Sequence, residues 1–163
     1  MKRMLIIAAA LLLAGNAQAN AQPRQTATAT RPVEVAPSAQ PAARVVDAFH
    51  AALRRGDTKA ALSQLSENAL IYEAGGVERG RREYASHHLA ADAAFARAVP
   101  GTRTRRAGEA AGDIAWIATE GRTKGTYKDK PVDRITSETM VLRRVAGAWK
   151  IVHIHWSSAA GAK

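Results

Sequence analysis

From residue 102 onward the apolar side chains fall at alternate positions, and this period-two stretch does most to limit what the chain can become. It divides into four runs, at about 102–111, 114–127, 131–145 and 148–158. The breaks between them are Gly112-Asp113, Lys128-Asp129-Lys130 and Ala146-Gly147. Turns that short join neighbouring antiparallel strands and leave no room for a crossover, so the second half reads as a meander. Upstream the period is helical. A helix is predicted over 42–55, with Val45, Val46, Phe49, Ala52 and Leu53 on one face and Gly56 as its stop. Asp57 caps a short helix over 58–65, with Ala61, Leu62 and Leu65 inward. A strand over 69–73 turns at Gly75-Gly76 into a short partner at 77–79. A third helix over 81–98 stops before Pro100. Three helices in the first half and a strand-rich second half predict an α+β domain over 41–158, a curved antiparallel sheet with helices on one face. Residues 159–163 are left as a tail.

The N-terminus reads as an export signal. Lys2 and Arg3 precede an unbroken apolar run of 11 residues, Met4 to Ala14, and Ala17-Gln18-Ala19 supplies a small-x-small cleavage site. The run is shorter than the ~20 residues a membrane span needs. A signal peptide over 1–19, cleaved after Ala19, is therefore expected, with no membrane span afterwards and a periplasmic or secreted mature chain. Residues 20–40 are rich in Ala, Thr, Gln and Pro and contain no aromatic residue, which predicts a disordered linker. The chain has 24 Lys and Arg against 14 Asp and Glu, a formal charge of +10. Its basic residues come in short scattered groups rather than a tract or an aromatic-interleaved stripe, so a solvated basic surface is expected and no nucleic-acid partner. With no cysteine, disulfides, thiolate metal sites and cysteine nucleophiles are excluded.

The C-terminal third carries a family resemblance. Ser137-Glu138-Thr139-Met140-Val141-Leu142-Arg143-Arg144, followed by Gly147-Ala148-Trp149-Lys150-Ile151-Val152-His153-Ile154-His155-Trp156-Ser157, resembles the end of SnoaL-like domains in the nuclear transport factor 2 (NTF2-like) superfamily. Within it, the stretch is similar to the association domain of calcium/calmodulin-dependent protein kinase II, which has a similar E-T-x-V stretch, Gly-x-Trp turn and V-H-x-H-x-S strand. Tyr72-Glu73 and Gly112 to Ala118 match more loosely. The resemblance implies an NTF2-like cone, a strongly bent sheet wrapped around helices, with a pocket inside and dimerisation through the sheet. It does not imply one activity, because the superfamily holds isomerases, dehydratases, epoxide hydrolases, cyclases, binding domains and oligomerisation hubs.

Candidate site residues follow from the two readings together. On the third helix, at about 100° per residue, Tyr84, His88, Phe95 and Val99 share a stripe, Asp92 lies just beyond Val99, and Ala85, Leu89 and Ala96 complete it, so His88 and Asp92 sit in the middle of the buried face. A buried imidazole and carboxylate one turn apart are expected to pair, which would raise the His88 pKa and fix its tautomer, the arrangement of an oriented general base. The competing reading is a satisfied structural pair. Tyr72 and Tyr84 are candidates to place hydroxyls at the same cavity. On the last strand, alternation puts Val152, Ile154 and Trp156 on one face and Trp149, Ile151, His153 and His155 on the other. The resemblance turns the Ile154 and Trp156 face into the cone, and makes Trp149, Ile151, His153 and His155, with Trp116, a dimer interface. Pocket arginines of the kinase association domain correspond here to Met140 and Trp156, with Gly121 or Arg122 at a third position, which implies a more apolar pocket. Asp133, Glu120 and Glu138 read as solvated or cross-strand partners. No metal site and no cofactor are expected: the His-x-His strand is assigned to structure, and the glycines lack a phosphate-loop spacing.

Three functions are carried forward. The first is an exported homodimer binding a small, largely apolar molecule in the cone. The second is an isomerase, dehydratase or cyclase using His88 and Asp92 as a general base pair. The third is an oligomerisation scaffold with a filled cavity.

Overall fold

The computed structural model describes residues 34–161; the expected signal segment, the expected cleavage site after Ala19 and most of the expected linker lie outside them. Helix α1 (Gln40–Arg55) ends where Gly56 takes φ 74°, a left-handed conformation open to glycine, and its N–H returns to Leu53 at 2.9 Å. Asp57 caps α2 (Thr58–Gln64) by accepting from the Ala60 N–H at 2.9 Å. Strands β1 (Leu65–Glu73) and β2 (Gly76–Arg79) follow, then α3 (Arg81–His87) and α4 (Leu89–Ala98). The rest is sheet: β3 (Gly101–Ala111), β4 (Ile114–Tyr127), β5 (Lys130–Val145) and β6 (Ala148–Ala160). The predicted α+β order is the observed one.

The six strands lie in the order β2-β1-β6-β5-β4-β3. The sheet is mixed rather than antiparallel, because β1 runs parallel to β6. No local turn announces that pairing; it joins the first strand to the last. Pairing shifts register in β1, in β3 and between β5 and β6, and irregularities of this kind bend a sheet around what packs on it. The core lies inside that bend. Val46, Phe49 and Leu53 of α1 meet Ile71, Ile117, Met140, Leu142, Ile151 and Ile154 of the sheet, all buried. Burial of side chains this size is worth about 1.5–3 kcal/mol each.

Two local departures reshape the site. The expected third helix is two, broken at His88 (φ −114°). The Ser86 hydroxyl just before the break donates to the carbonyls of Arg82 and Glu83, at 3.2 and 3.0 Å, and such back-bonding bends helices. In β6, Val141 pairs with His153 while its neighbour Leu142 pairs with Ile151, so Val152 is an extra residue, a β-bulge. The bulge reverses the alternation. Trp149 and Ile151 therefore face inward with Ile154 and Trp156, and only His153 and His155 of the four expected outer residues face out. The chain is also structured earlier than the linker reading placed it. Val35 bridges Gly108, and Ala39 is fully buried.

Candidate functional site

One row of side chains crosses the inner face of the sheet at its polar end. Strand register aligns Arg106, Thr119, Glu138, Trp156 and Glu73 across β3, β4, β5, β6 and β1. The next row is apolar, with Ile117, Met140, Ile154 and Ile71. The polar row, with Asp47 and His50 of α1 and Asp92 of α4, lines a cavity of about 1350 Å³. Pockets for drug-sized ligands are typically about 300–1,000 Å³. Apolar walls come from Phe95, Ala96, Val99 and the Trp156 indole, and Arg54, Arg103 and Arg134 stand among the remaining lining residues.

Two polar centres flank Trp156. At the first, the Tyr84 hydroxyl, fully buried, donates to Asp92 Oδ2 at 2.8 Å. Burial pushes the Asp92 carboxyl above its ordinary range, against the opposing hydrogen bond from Tyr84 and the charge of His88. Glu73 is pushed up too, by burial and then by the Asp92 charge. Burial beside these carboxylates drives the Tyr84 phenol upward, so it keeps its proton. At the second centre, His50 Nε2 lies 2.8 Å from Glu138 Oε2, and the same oxygen accepts from Trp156 Nε1 at 2.7 Å. Burial alone would raise the Glu138 pKa; the His50 hydrogen bond and the charge of a protonated His50, then the Trp156 hydrogen bond and the Arg106 charge, outweigh it and hold the carboxylate below its ordinary range. Arg106 is fixed in turn by Asp47 at 2.6 Å and by the Thr119 hydroxyl at 3.2 Å.

Of the residues expected in the pocket, Asp92 and Trp156 line the cavity. Tyr84 stands behind Asp92, while Met140 and Ile154 are closed core. Tyr72 lies on the outer face, 38% exposed, edge-on to His153 and His155. The expected hydrogen-bonded pair of His88 and Asp92 does not form. The helix break swings His88 outward, 54% exposed, where Nδ1 pairs with the buried Glu78 carboxylate, and Asp92 takes Tyr84 instead. The Glu78 hydrogen bond is the main reason the His88 pKa is raised. Glu138, expected to be solvated or cross-strand paired, is buried and bound to a histidine from the opposite layer. Asp133 does pair across the sheet, with both its oxygens 2.6 Å from the Arg122 guanidinium. His50 was missed altogether. The available signal was its place one turn after Asp47 and beside Phe49 on a helix whose apolar face was already assigned. Among the described residues no group of three or more histidine, aspartate or glutamate side chains is placed to hold a metal ion.

Comparison with known proteins places these features in a family. Residues 43–161 match the family described as the SnoaL-like domain. Among solved structures, the chain is 43% identical to a "putative ketosteroid isomerase" from Shewanella frigidimarina, covering 70% of this chain and 92% of that one, with a TM-score of 0.68. A "putative calcium/calmodulin dependent protein kinase II association domain" from Xanthomonas campestris shares 20% identity over 82% of this chain and 99% of its own, with a TM-score of 0.64. An NTF2-like protein from Novosphingobium aromaticivorans is 14% identical, covers 77% of this chain and 84% of its own, and has a TM-score of 0.62. These two likenesses show the NTF2-like fold. A search of curated proteins by sequence gives no match.

Proposed function

The chain belongs to the SnoaL-like domain family, and from that membership we propose that its cone binds a small, largely apolar molecule and moves a proton on it. The observation that carries the reading is Asp92, a carboxylate on the cavity wall whose proton affinity burial has raised while Tyr84 holds one of its oxygens. A carboxylate tuned this way is a stronger base than one in water. The relative at 43% identity is named for isomerising a ketosteroid, which suits a cavity with an apolar wall of Phe95, Ala96, Val99 and Trp156 beside the Asp92 carboxylate. The reaction class proposed here is double-bond migration in an unsaturated ketone. Asp92 takes a proton from the carbon between the carbonyl and the alkene, the electron pair passes into the dienolate, and the same proton returns to the far alkene carbon. Nothing else is consumed. Glu73, also pushed up, is the neighbouring group able to hold a proton near the developing charge. An open cavity of about 1350 Å³ is at odds with the filled-interior scaffold.

The test follows 5-androstene-3,17-dione by the ultraviolet absorbance of its conjugated product. Wild type is expected to turn it over, and Asp92→Asn to lose about 10²–10⁴-fold. Equal turnover by the variant would overturn Asp92 as base, and binding without turnover would leave the cone as a binding module.

Two further parts of the reading concern context. The outer sheet face bears Trp116, Val141, His153 and Tyr72, none covered by another described element, and supports a homodimer. The basic start, apolar run and Ala17-Gln18-Ala19 support export. Protein from the native host should begin at Asn20; a full-length cytoplasmic chain would refute export.

A further inference from the structure

Proton transfer at Asp92 occupies one side of Trp156 and leaves the other centre without a task. There, an imidazole from α1 and a carboxylate from β5 meet inside the cavity, His50 Nε2 to Glu138 Oε2 at 2.8 Å. When the ring is neutral, Nε2–H donates to the ionised carboxylate, which fixes the tautomer and leaves Nδ1 as an acceptor. Nδ1 has no protein partner among the described residues, and the His50 side chain remains 31% exposed. The Glu138 side is oddly built for a purely structural pair. Oε2 takes both donors, His50 and Trp156, while Oε1 is buried with no partner among the described residues. The carboxylate is spent on orienting two cavity-wall side chains rather than on its own satisfaction.

The two centres lie on either side of Trp156. Glu138 and Glu73 flank Trp156 on adjacent strands, so their backbones lie two strand spacings apart, roughly 10 Å. Trp156 spans the interval. Its ring is 6.4 Å from that of Tyr84, and its Nε1–H reaches Glu138. An occupant lying along the indole would meet Asp92 with one end and His50 with the other.

We propose that His50, held by Glu138, is a specificity-determining residue that accepts a hydrogen bond from a hydroxyl at the end of the ligand remote from the carbon that gives up its proton. The ligand class is then a rigid, flat, polycyclic ketone with a distal hydroxyl. The inference rests on the cone being the small-molecule site argued above, and it names what that site selects. A distal ketone, which only accepts, gains nothing from a neutral Nδ1, so hydroxyl and ketone are discriminated. Glu138 is a positioning residue, acting through the ring it orients.

The experiment is equilibrium dialysis at pH 8 with three probes: androst-5-en-3-one, its 17β-hydroxy derivative and its 17-ketone. Asp92→Asn protein is used throughout so that the probes are not consumed. The hydroxylated probe is expected to bind about tenfold tighter than the other two. Adding His50→Phe should bring the three together, and adding Glu138→Gln should shrink the preference. A damaged fold would weaken all three probes and leave their ratio alone, so the ratio reports recognition. Equal binding of the three probes, or a preference that survives His50→Phe, would overturn the inference and leave the proposed function standing. If none of the three binds the Asp92→Asn protein, the cavity reading falls and the inference with it.

Discussion

Asp92 and Glu138 are both carboxylates on one cavity, and the structure drives them in opposite directions. Asp92 is raised from 3.8 by burial, so the folded state holds its proton more tightly than the unfolded chain. Its contribution is therefore fullest below the unfolded pKa and declines as pH rises through the folded one. Asp92→Asn removes that penalty while leaving Tyr84 an acceptor. At pH 7 its thermal midpoint should match or exceed wild type even as turnover collapses, and a scanning-calorimetry comparison checks this. Glu138 is lowered from 4.5, so its stabilisation is present above the unfolded value and disappears as pH falls through the folded one. Glu138→Gln should cost about 1–3 kcal/mol at pH 7, by urea denaturation, and the difference from wild type should shrink in acid. Stability that improves for one substitution and worsens for the other separates a residue strained for chemistry from one tied into its surroundings.

At the scale of elements, the four long strands, the caps and the ends of α1 and α2 were legible because each is written locally, in alternation, in Asp57 and in Gly56. What was not legible is what one extra or one tilted residue does. Val152 sits inside a run that alternates in sequence, yet its bulge sends Trp149 and Ile151 to the core instead of an interface. Ile151→Ala should therefore cost about 2–5 kcal/mol in chemical denaturation and leave self-association unchanged. The helix stripe placed Asp92 and Tyr84 near one another, but the Ser86 bend took His88 away from them. His50 and Glu138 meet only through tertiary packing of α1 on the sheet, and neither carries a local mark of the other.

For the whole molecule, the outer sheet face is where a second copy would pack. His155→Asp places a charge beside Tyr72 on that face. Sedimentation at micromolar concentration should show a dimer for wild type and a monomer for the variant; a monomeric wild type would leave His153 and His155 without an interface. The parallel pairing of β1 with β6 has another consequence, for the order of assembly. Among the described residues, strand β6 is the only hydrogen-bonded link between the β1–β2 pair and the β3–β5 meander, and it follows all the other strands in sequence. The meander closes through local turns, whereas the other side must wait for a partner from the far end of the sequence, a long loop closure of the kind that slows folding. A ribosome still holding β6 carries a sheet in two halves, with the wall between Asp92 and His50 not yet made. The proposed catalytic corner and the proposed recognition corner are thus completed in a single late event, when Trp156 arrives between them.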